Sequence, residues 1–421
     1  MRPVRASAAH QETPPQVAPS DQIAVGFLGV GRMGLSNIRD FALQPEVRVE
    51  AVCDVYAPHL EKAEQDMKVK GYSDFREVLD RQDIDVIVIS SPDHWHPLMA
   101  VMACQAGKDV YVEKPVSVAV VEGRQMVEAA RKYDRVVQVG TQQRSGVHFK
   151  NAVQILRRGD IGEISAARTW MFGNAFPKGI GNPQDSEPPA GLDWDLWLGP
   201  APKAAFNANR FGVGDRWSTF RYFWDYAGGM MTDWGVHLLD IVQWAMNVDG
   251  PISASAGGAK YMIRDNRQTP DTLSVTYEYP NFLCTFENRA CNSSSISSRR
   301  YGIEFYGTNG TLVIDRQGFE ITPEIERQGE REVARMHWMK EENRNNQHLD
   351  HVRNFIDCLK SRKQPVSDIE TGHHSTTVCH LGNIAYRTGR KIVWDAKEEK
   401  IVGDAEAAKL LSYEYREPWK L

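Results

Sequence analysis

The first third of the chain alternates short apolar runs with helical patterns. An apolar run at Ile23–Leu28 precedes a glycine-rich turn and a helical pattern, and a second apolar run follows at residues 47–52. Val86–Ile89 is apolar at every position, as in strands that are buried on both faces of a parallel sheet. Because strand and helix patterns keep alternating up to Val139, the sequence predicts an α/β domain with a doubly wound parallel sheet of the Rossmann type.

The pattern changes after about Thr141. A helix at 147–157 and a strand at 163–170 precede a stretch rich in Gly, Pro and Trp, residues 173–217, which has no period and predicts long functional loops. A helix at 231–246 follows, and a last amphipathic helix is expected at 346–359. Between these two helices, turn sequences separate five strand-like runs that predict antiparallel strands: 252–262, 273–279, 283–288, 302–306 and 312–314.

These patterns divide the chain of 421 residues into three parts. A chain of this length exceeds the ~250–300 residues at which a single core usually stops growing. We therefore expect a flexible N-terminal arm at 1–21, a Rossmann domain at 22–144 and a second, α+β domain at 145–421.

Composition and charge exclude several classes of protein. A formal net charge of -5 leaves no basic surface for nucleic acid, and no apolar run approaches the ~18–20 residues of a membrane span. The six cysteines are scattered singly, so we expect buried thiols in a reducing compartment and no metal site. Residues 1–20 lack the apolar core of a signal peptide, which favours a cytoplasmic location; a trimmed export leader is the alternative.

A glycine motif links the first predicted strand to the first predicted helix. Glycines in this position allow a tight turn and let the backbone approach a pyrophosphate, while the helix N-terminus supplies free N–H groups. Asp54 follows at the end of the second strand, where a carboxylate accepts hydrogen bonds from ribose hydroxyls and repels a 2′-phosphate. The motif therefore predicts NAD as cofactor, bound by Gly29, Gly31, Arg32, Met33, Gly34 and Asp54.

Further polar residues stand at the ends of later strands. The carboxyl ends of parallel strands form the edge at which open α/β sheets bind ligands, and the nicotinamide half of the cofactor should reach the same edge. A lysine there can meet a substrate hydroxyl. The predicted contacts at this edge are Ser91, Pro92, Asp93, His96, Glu113, Lys114 and Gln142.

The chain resembles the glucose-fructose oxidoreductase and inositol dehydrogenase family, also called Gfo/Idh/MocA, over about residues 22–400. The residues that carry the resemblance are the glycine motif, Asp54, Ser91-Pro-Asp-His-Trp-His96 in place of the family's T-P-N-x-x-H, Glu113-Lys-Pro115, and Asp233-Trp-Gly-Val-His237 for its D-x-x-x-H. The resemblance implies a second domain with a large open, mainly antiparallel sheet that also forms the interface of a homo-oligomer, a dimer or tetramer. It further implies a sugar, polyol or glycoside substrate and a catalytic set of Lys114, Asp233 and His237.

The chemistry of Lys114, Asp233 and His237 also suits a catalytic set. Asp233 and His237 stand four apart on a predicted helix and share one face. Removing a hydride from an alcohol needs a base for the hydroxyl proton, which suits His237, while Lys114 polarises the reacting oxygen. A helix that merely packs its apolar side chains into the core is the alternative, but the glycine pair before it favours a ligand site.

Residues between the two predicted domains are candidates for substrate contact. Arg144 follows the sixth strand, while Arg221 and Trp224 lie in a loop rich in aromatic residues, which suits the apolar faces and hydroxyl rims of carbohydrates. His373, His374 and His380 have no metal-like partners in sequence and are expected at the surface or in an interface.

Two other functions compete with a dehydrogenase. An NAD-dependent glycoside hydrolase, which oxidises its substrate transiently and eliminates the aglycone, would share the first domain; Lys114 and Asp233 argue for the dehydrogenase. A non-catalytic dinucleotide sensor would bind NAD without needing Lys114 or His237.

Overall fold

The structure is a computed structural model that describes residues 22–212 and 218–421. The predicted N-terminal arm, 1–21, and the end of the loop-rich stretch, 213–217, lie outside the described residues.

The first domain is a six-stranded, all-parallel sheet with helices on both faces, which confirms the predicted Rossmann fold. Its strand order is β3-β2-β1-β4-β5-β6, and Val86–Ile89 is buried at every position. The strands are β1 (Ile23–Leu28), β2 (Val47–Cys53), β3 (Lys70–Tyr72), β4 (Val86–Ile89), β5 (Asp109–Val112) and β6 (Val137–Val139). The helices are α1 (Arg32–Ala42), α2 (Ala57–Met67), α3 (Phe75–Leu79), α4 (His96–Gln105) and α5 (Val120–Lys132).

The second domain is built on a ten-stranded sheet. Its helices are α6 (Val147–Arg158), α7 (Trp194–Leu198), α8 (Ala208–Phe211), α9 (Gly229–Asp233), α10 (Gly235–Met246), α11 (Gln347–Ser361), α12 (Ile369–Thr388) and α13 (Ala405–Ala408). Its strands are β7 (Ile164–Phe172), β8 (Ser253–Ala259), β9 (Thr272–Glu278), β10 (Leu283–Arg289), β11 (Tyr301–Gly307), β12 (Gly310–Asp315), β13 (Gly318–Pro323), β14 (Ile325–Gln328), β15 (Arg331–Ala334), β16 (Met339–Glu342), β17 (Ile392–Asp395) and β18 (Lys400–Ile401). β14 and β15 form a separate hairpin.

The ten strands lie in the order β16-β13-β12-β11-β7-β10-β9-β8-β17-β18. Their pairings are antiparallel as predicted, apart from β7 with β10, which run parallel. Side chains on β9 and β10 alternate between buried and partly exposed, because helices α6, α10 and α12 cover one face of the sheet. The other face carries the more exposed positions.

Helix α11 completes the core of the first domain, although it comes from beyond the predicted boundary at residue 144. Phe355 on α11 packs against Phe41 of α1 and Tyr111 of β5, with ring centroids 6.2 and 5.8 Å apart. The two domains are therefore joined by buried contacts as well as by the chain.

Two expectations for the second domain need correction. The helix predicted at 231–246 begins at Gly229 and is interrupted at Trp234, giving α9 and α10. The helix predicted to be the last is followed by the 20-residue α12, whose buried face carries Ser, Thr, His and Asn and so shows no amphipathic pattern.

Two of the three α12 histidines are also placed differently from the expectation. His373 and His380 are buried rather than exposed, and their Nε2 atoms contact Glu399 Oε1 at 2.8 Å and the Ser117 carbonyl at 3.1 Å. Contacts made by the tertiary fold, which a sequence pattern does not reveal, account for their burial.

Within the described ranges, no helix combines the length and apolar character needed to cross a membrane. The same residues contain no group of three or more His, Cys, Asp or Glu side chains placed to hold a metal ion. All six cysteines are free thiols, and all but Cys291 are buried, as expected.

Candidate active site

A cavity of about 710 Å³ lies between the two domains. On one side it is lined by residues at the carboxyl ends of β1, β2, β4 and β5, and on the other by residues around α9, α10 and the turn after β12. Open parallel sheets bind ligands at this edge, where successive loops diverge.

The glycine turn fits a pyrophosphate. Gly29 has a φ of +82°, and a Cβ there would lie 2.7 Å from the Ser91 nitrogen; a Cβ at Gly34 would lie 2.0 Å from the Gly29 carbonyl oxygen. A Cβ at Gly31 would meet only the His59 ring, at 3.8 Å, and Gly31 caps α1 without a side-chain hydrogen bond. Two glycines thus allow the tight turn, and the third leaves the helix N-terminus open to an anion.

Asp54 is fixed beside this turn. Its Oδ2 accepts a hydrogen bond from the Val30 N–H and its Oδ1 accepts one from the Tyr56 N–H, both at 2.9 Å. The carboxylate lines the cavity next to the glycine turn, and the residues that follow it in the cavity lining are Val55 and His59 rather than an arginine. The turn and this carboxylate together fit a dinucleotide without a 2′-phosphate.

Two loops that carry predicted cofactor contacts are held together by His96. Its Nδ1 lies 2.7 Å from the Pro115 carbonyl and its Nε2 lies 2.9 Å from the Ser91 carbonyl. Burial lowers the pKa of His96 to about 4, so the neutral ring donates to one of the two carbonyls and packs between the loop after β4 and the loop that carries Lys114.

Glu113 fixes the start of the loop that carries Lys114 by hydrogen bonds to neighbouring segments. Its Oε1 accepts hydrogen bonds from Asn37 Nδ2 at 3.1 Å and from Gln142 Nε2 at 3.4 Å. Burial raises the pKa of Glu113. This network fixes the end of β5 and the direction from which Lys114 enters the cavity.

Lys114 and Asp233 meet across the domain boundary. Lys114 Nζ donates to Asp233 Oδ1 at 2.6 Å and to the Asp233 carbonyl at 3.0 Å, and Arg221 Nε lies 2.8 Å from the same Oδ1. Burial would raise the pKa of Asp233, but the charges of Arg221 and Lys114 outweigh it and hold that pKa well below its usual value. Asp233 is therefore ionised and orients both cations.

Asp93 lies in the same cluster. Burial raises the pKa of Asp93 to about 7, although the charges of Arg221 and Lys114 oppose this rise. Near neutral pH, Asp93 is only partly ionised, and the cluster carries more positive than negative charge.

His237 lines the cavity near this cluster. Its Nδ1 is buried and has no hydrogen-bond partner among the described residues. Burial, together with the charges of Lys114 and Arg316, lowers the pKa of His237 well below its usual value. The imidazole is therefore neutral and has a free nitrogen with which to exchange a proton.

Nearly all the predicted site residues line this one cavity. Gly34 lies behind the glycine turn, against the Gly29 carbonyl. Arg144 lies outside the lining, since its guanidinium is buried against Asp240, with Nε 2.8 Å from Oδ2. Trp224 is also outside, where Arg387 packs over its ring at 5.2 Å.

The aromatic-rich segment between the predicted domains includes Trp197 and Tyr222 as candidates for substrate contact, and both line the cavity. Sequence patterns do not reveal Arg316 and His348, which come from a short turn and a helix start more than 70 residues beyond His237. No local pattern distinguishes these last two from surface residues, because only the fold brings them to the cleft.

The fold and this cleft define a two-domain protein with a dinucleotide-binding Rossmann domain. A model of the oxidoreductase family with the NAD-binding Rossmann fold matches residues 23–141, and the model of that family's C-terminal α/β domain matches 163–279 and 337–421. The chain belongs to the Gfo/Idh/MocA family. This match confirms the NAD-binding Rossmann domain and the family resemblance.

Curated relatives match only part of the chain. It is 33% identical over 142 residues to the uncharacterised oxidoreductase YrbE of Bacillus subtilis, which covers 34% of this chain and 42% of that protein. It is 30% identical over 159 residues to a glycosyl hydrolase family 109 protein of a Shewanella species, covering 35% of each. The chain thus spans about two-fifths or less of the length of these relatives.

Solved structures match over most of the chain. The WlbA dehydrogenase from Bordetella pertussis, in complex with NADH and UDP-GlcNAcA, has a TM-score of 0.66 at 20% identity and covers 89% of this chain and 99% of its own. A levoglucosan dehydrogenase in complex with NADH and levoglucosan has a TM-score of 0.67 at 16% identity, with 88% and 99% coverage. At these identities the likeness establishes the shared two-domain fold.

Proposed function

We propose that the protein is an NAD-dependent oxidoreductase that transfers a hydride between a ring hydroxyl of a sugar, polyol or glycoside and the nicotinamide. The contact between Lys114 and Asp233 in the cavity between the domains carries this proposal. An ammonium has three donors, and two of those on Lys114 are used by Asp233. The third is available for the reacting oxygen of a substrate.

Cofactor binding in this proposal uses the glycine turn and Asp54. The open N-terminus of α1 would receive the pyrophosphate, and Asp54 would accept hydrogen bonds from the adenosine ribose. Bound NAD would supply the hydride acceptor for the carbon that bears the reacting hydroxyl.

Two side chains act on the reacting hydroxyl group, one on its oxygen and one on its proton. The Lys114 ammonium stabilises the alkoxide character that develops on the oxygen as the hydride leaves. Neutral His237 accepts the hydroxyl proton, and in the reverse direction it returns the proton. Asp233 touches both Lys114 and Arg221, so it positions the two cations around the reacting oxygen.

The test is a screen of sugars, polyols and glycosides with NAD, in which NADH absorbance is followed in parallel with release of any aglycone. We expect stoichiometric NADH from at least one neutral or acidic carbohydrate. NAD binding without reduction by any member of the panel would contradict the proposal.

A glycoside hydrolase that uses NAD transiently is the second candidate, favoured by the family 109 relatives that match 35% of the chain. In that case the aglycone would be released while NADH stays at a constant low level. Accumulation of NADH equal to the substrate consumed would contradict this candidate.

We further propose that the chain forms a homo-oligomer through the large sheet. Apolar side chains are exposed on its strands, among them Leu283 on β10, Met339 on β16 and Val393 on β17. Leu283→Asp combined with Val393→Asp should lower the mass measured by light scattering. An unchanged mass would contradict this interface.

A further inference from the structure

The cations around the proposed reacting groups differ in whether they form a direct ion pair with a carboxylate. Lys114 and Arg221 both contact Asp233. Arg316 lines the same cavity, and among the described residues it forms no direct ion pair with a carboxylate; the charges of Asp233 and Glu113 act on it only from farther away. The proposed hydride transfer uses Lys114, His237 and Asp233, and it assigns no role to Arg316.

The surroundings of Arg316 fix its guanidinium beside the reacting groups. It stands in the turn between β12 and β13, its guanidinium carbon is 4.9 Å from the centroid of the Trp234 ring, and its Nε donates to Gln143 Oε1 at 3.4 Å. Trp234 follows Asp233 directly in the chain, and its ring lies 6.1 Å from that of His237. Arg316 thus reaches the part of the cavity where the proposed reaction takes place.

A cation enclosed in this way favours an anionic partner. Removing a charge from water costs free energy unless hydrogen bonds or an opposite charge compensate it, and a face-on aromatic ring compensates only in part. Trp234 covers one face of the guanidinium and Gln143 uses its Nε, so the paired N–H groups at its other edge remain for a ligand. That edge matches a carboxylate or a phosphate in a bidentate hydrogen bond.

His348 adds a polar group to the same wall. It stands in the first turn of α11 and lines the cavity. Burial and the charge of Arg316 lower the pKa of His348 to about 4. At neutral pH it is therefore an uncharged hydrogen-bonding group beside the guanidinium, and it adds no repulsion between cations.

We propose that Arg316, assisted by His348, binds an anionic substituent of the substrate, so that the protein acts on acidic carbohydrates that carry a carboxylate or a phosphate. The inference rests on the proposed function, because it places the acidic group in the cleft where the ring hydroxyl reacts. Neutral sugars would bind the same cleft more weakly.

The kinetic test uses pairs of sugars that differ in one group: glucuronate with glucose, galacturonate with galactose, and glucose 6-phosphate for the phosphate alternative. For the preferred acid, kcat/KM should exceed that of its neutral partner by about 10- to 100-fold, the usual range for one charge-assisted hydrogen-bonded pair. Arg316→Met should remove this preference, and Arg316→Lys should retain part of it. Arg327→Met, which removes an exposed arginine on β14, is the matched control and should leave the preference unchanged.

A binding measurement separates this inference from the proposed function. Titration calorimetry of the NADH-loaded protein with the same sugars should show tighter binding of the acid, a loss of that advantage in Arg316→Met and a decline with added salt. Acid-selective binding without turnover of any sugar would support the subsite while contradicting the proposed reaction. Turnover with equal kcat/KM for acid and neutral partners, or a preference that survives Arg316→Met, would overturn the subsite.

Discussion

The two halves of the cleft are built in different ways. The half at the glycine turn, here called the backbone half, is shaped by the main chain. Two of its glycines stand where a Cβ would collide with main-chain atoms, and Asp54 accepts hydrogen bonds from backbone N–H groups. The half at the domain boundary, here called the side-chain half, consists of charged side chains from distant segments. Lys114 and Asp233, for example, are separated by 119 residues. Changes in the first half should therefore affect binding and stability, whereas changes in the second should affect turnover and the way stability depends on pH.

The largest expected effect is on turnover, from Lys114→Ala. Loss of the ammonium at the reacting oxygen should lower kcat by about 10³-fold, as for other electrostatic contributions to a transition state. NAD affinity, measured by fluorescence titration, should fall far less than kcat, because Lys114 lies at Asp233, away from the glycine turn and Asp54. If turnover persisted at the original rate, the non-catalytic sensor would become the better description.

Gly29→Ala should affect the backbone half of the cleft by strain. An alanine at position 29 must adopt a φ of +82°, and its Cβ would lie 2.7 Å from the Ser91 nitrogen. This strain should destabilise the protein by about 3 kcal/mol or more and abolish NAD binding. Gly107→Ala is the matched control, with a φ of +77° and nothing within 4 Å of the added Cβ, and should cost only about 1 kcal/mol. Urea unfolding would measure the loss of stability in each variant. Equal losses in Gly29→Ala and Gly107→Ala would show that the collision at Gly29 has no effect.

Asp93→Asn should change how stability depends on pH. Folded Asp93 keeps its proton up to about pH 7, whereas an unfolded Asp loses it near 3.8, so the stability linked to this proton is present at low pH and is lost as pH rises between these values. The difference in free energy of unfolding between Asp93→Asn and wild type should therefore favour the variant by about 2 kcal/mol more at pH 8 than at pH 5. Urea unfolding at both pH values would test this, and a constant difference would contradict the raised pKa.

The smallest of these effects is expected from Asp54→Ala. Loss of the hydrogen bonds to a ribose should weaken NAD binding by about tenfold and narrow the preference for NAD over NADP. Asp66→Ala, which removes an exposed carboxylate paired with Lys62 on α2, should leave both affinities unchanged. Wild-type affinity in Asp54→Ala would exclude the carboxylate from ribose recognition.

Sequence reasoning predicted the backbone half well, for a physical reason. Strand, turn, helix and the carboxylate after the second strand are local features, and each leaves its own pattern in the chain. The two-domain architecture and the sheet of the second domain also follow from local periodicity, but the parallel pairing of β7 with β10 and the buried, polar face of α12 do not.

The side-chain half was predicted only where family motifs mark it. Lys114, Asp233 and His237 stand in such motifs, whereas Arg316 was missed and Arg144 was expected at the substrate but lies against Asp240. The pKa of Asp93 depends on burial and on charges from three separate segments, which no spacing along the chain encodes.

The packing of α11 into the first domain also affects how the protein is made. Phe41 and Tyr111 belong to the segment that leaves the ribosome first, but Phe355, which covers them, follows more than 200 residues later. At ~5–20 residues per second, an apolar face of the nascent first domain stays uncovered for tens of seconds. Newly made chains would then need protection from aggregation until the helix arrives, and a fragment that ends near residue 144 would keep this face exposed permanently.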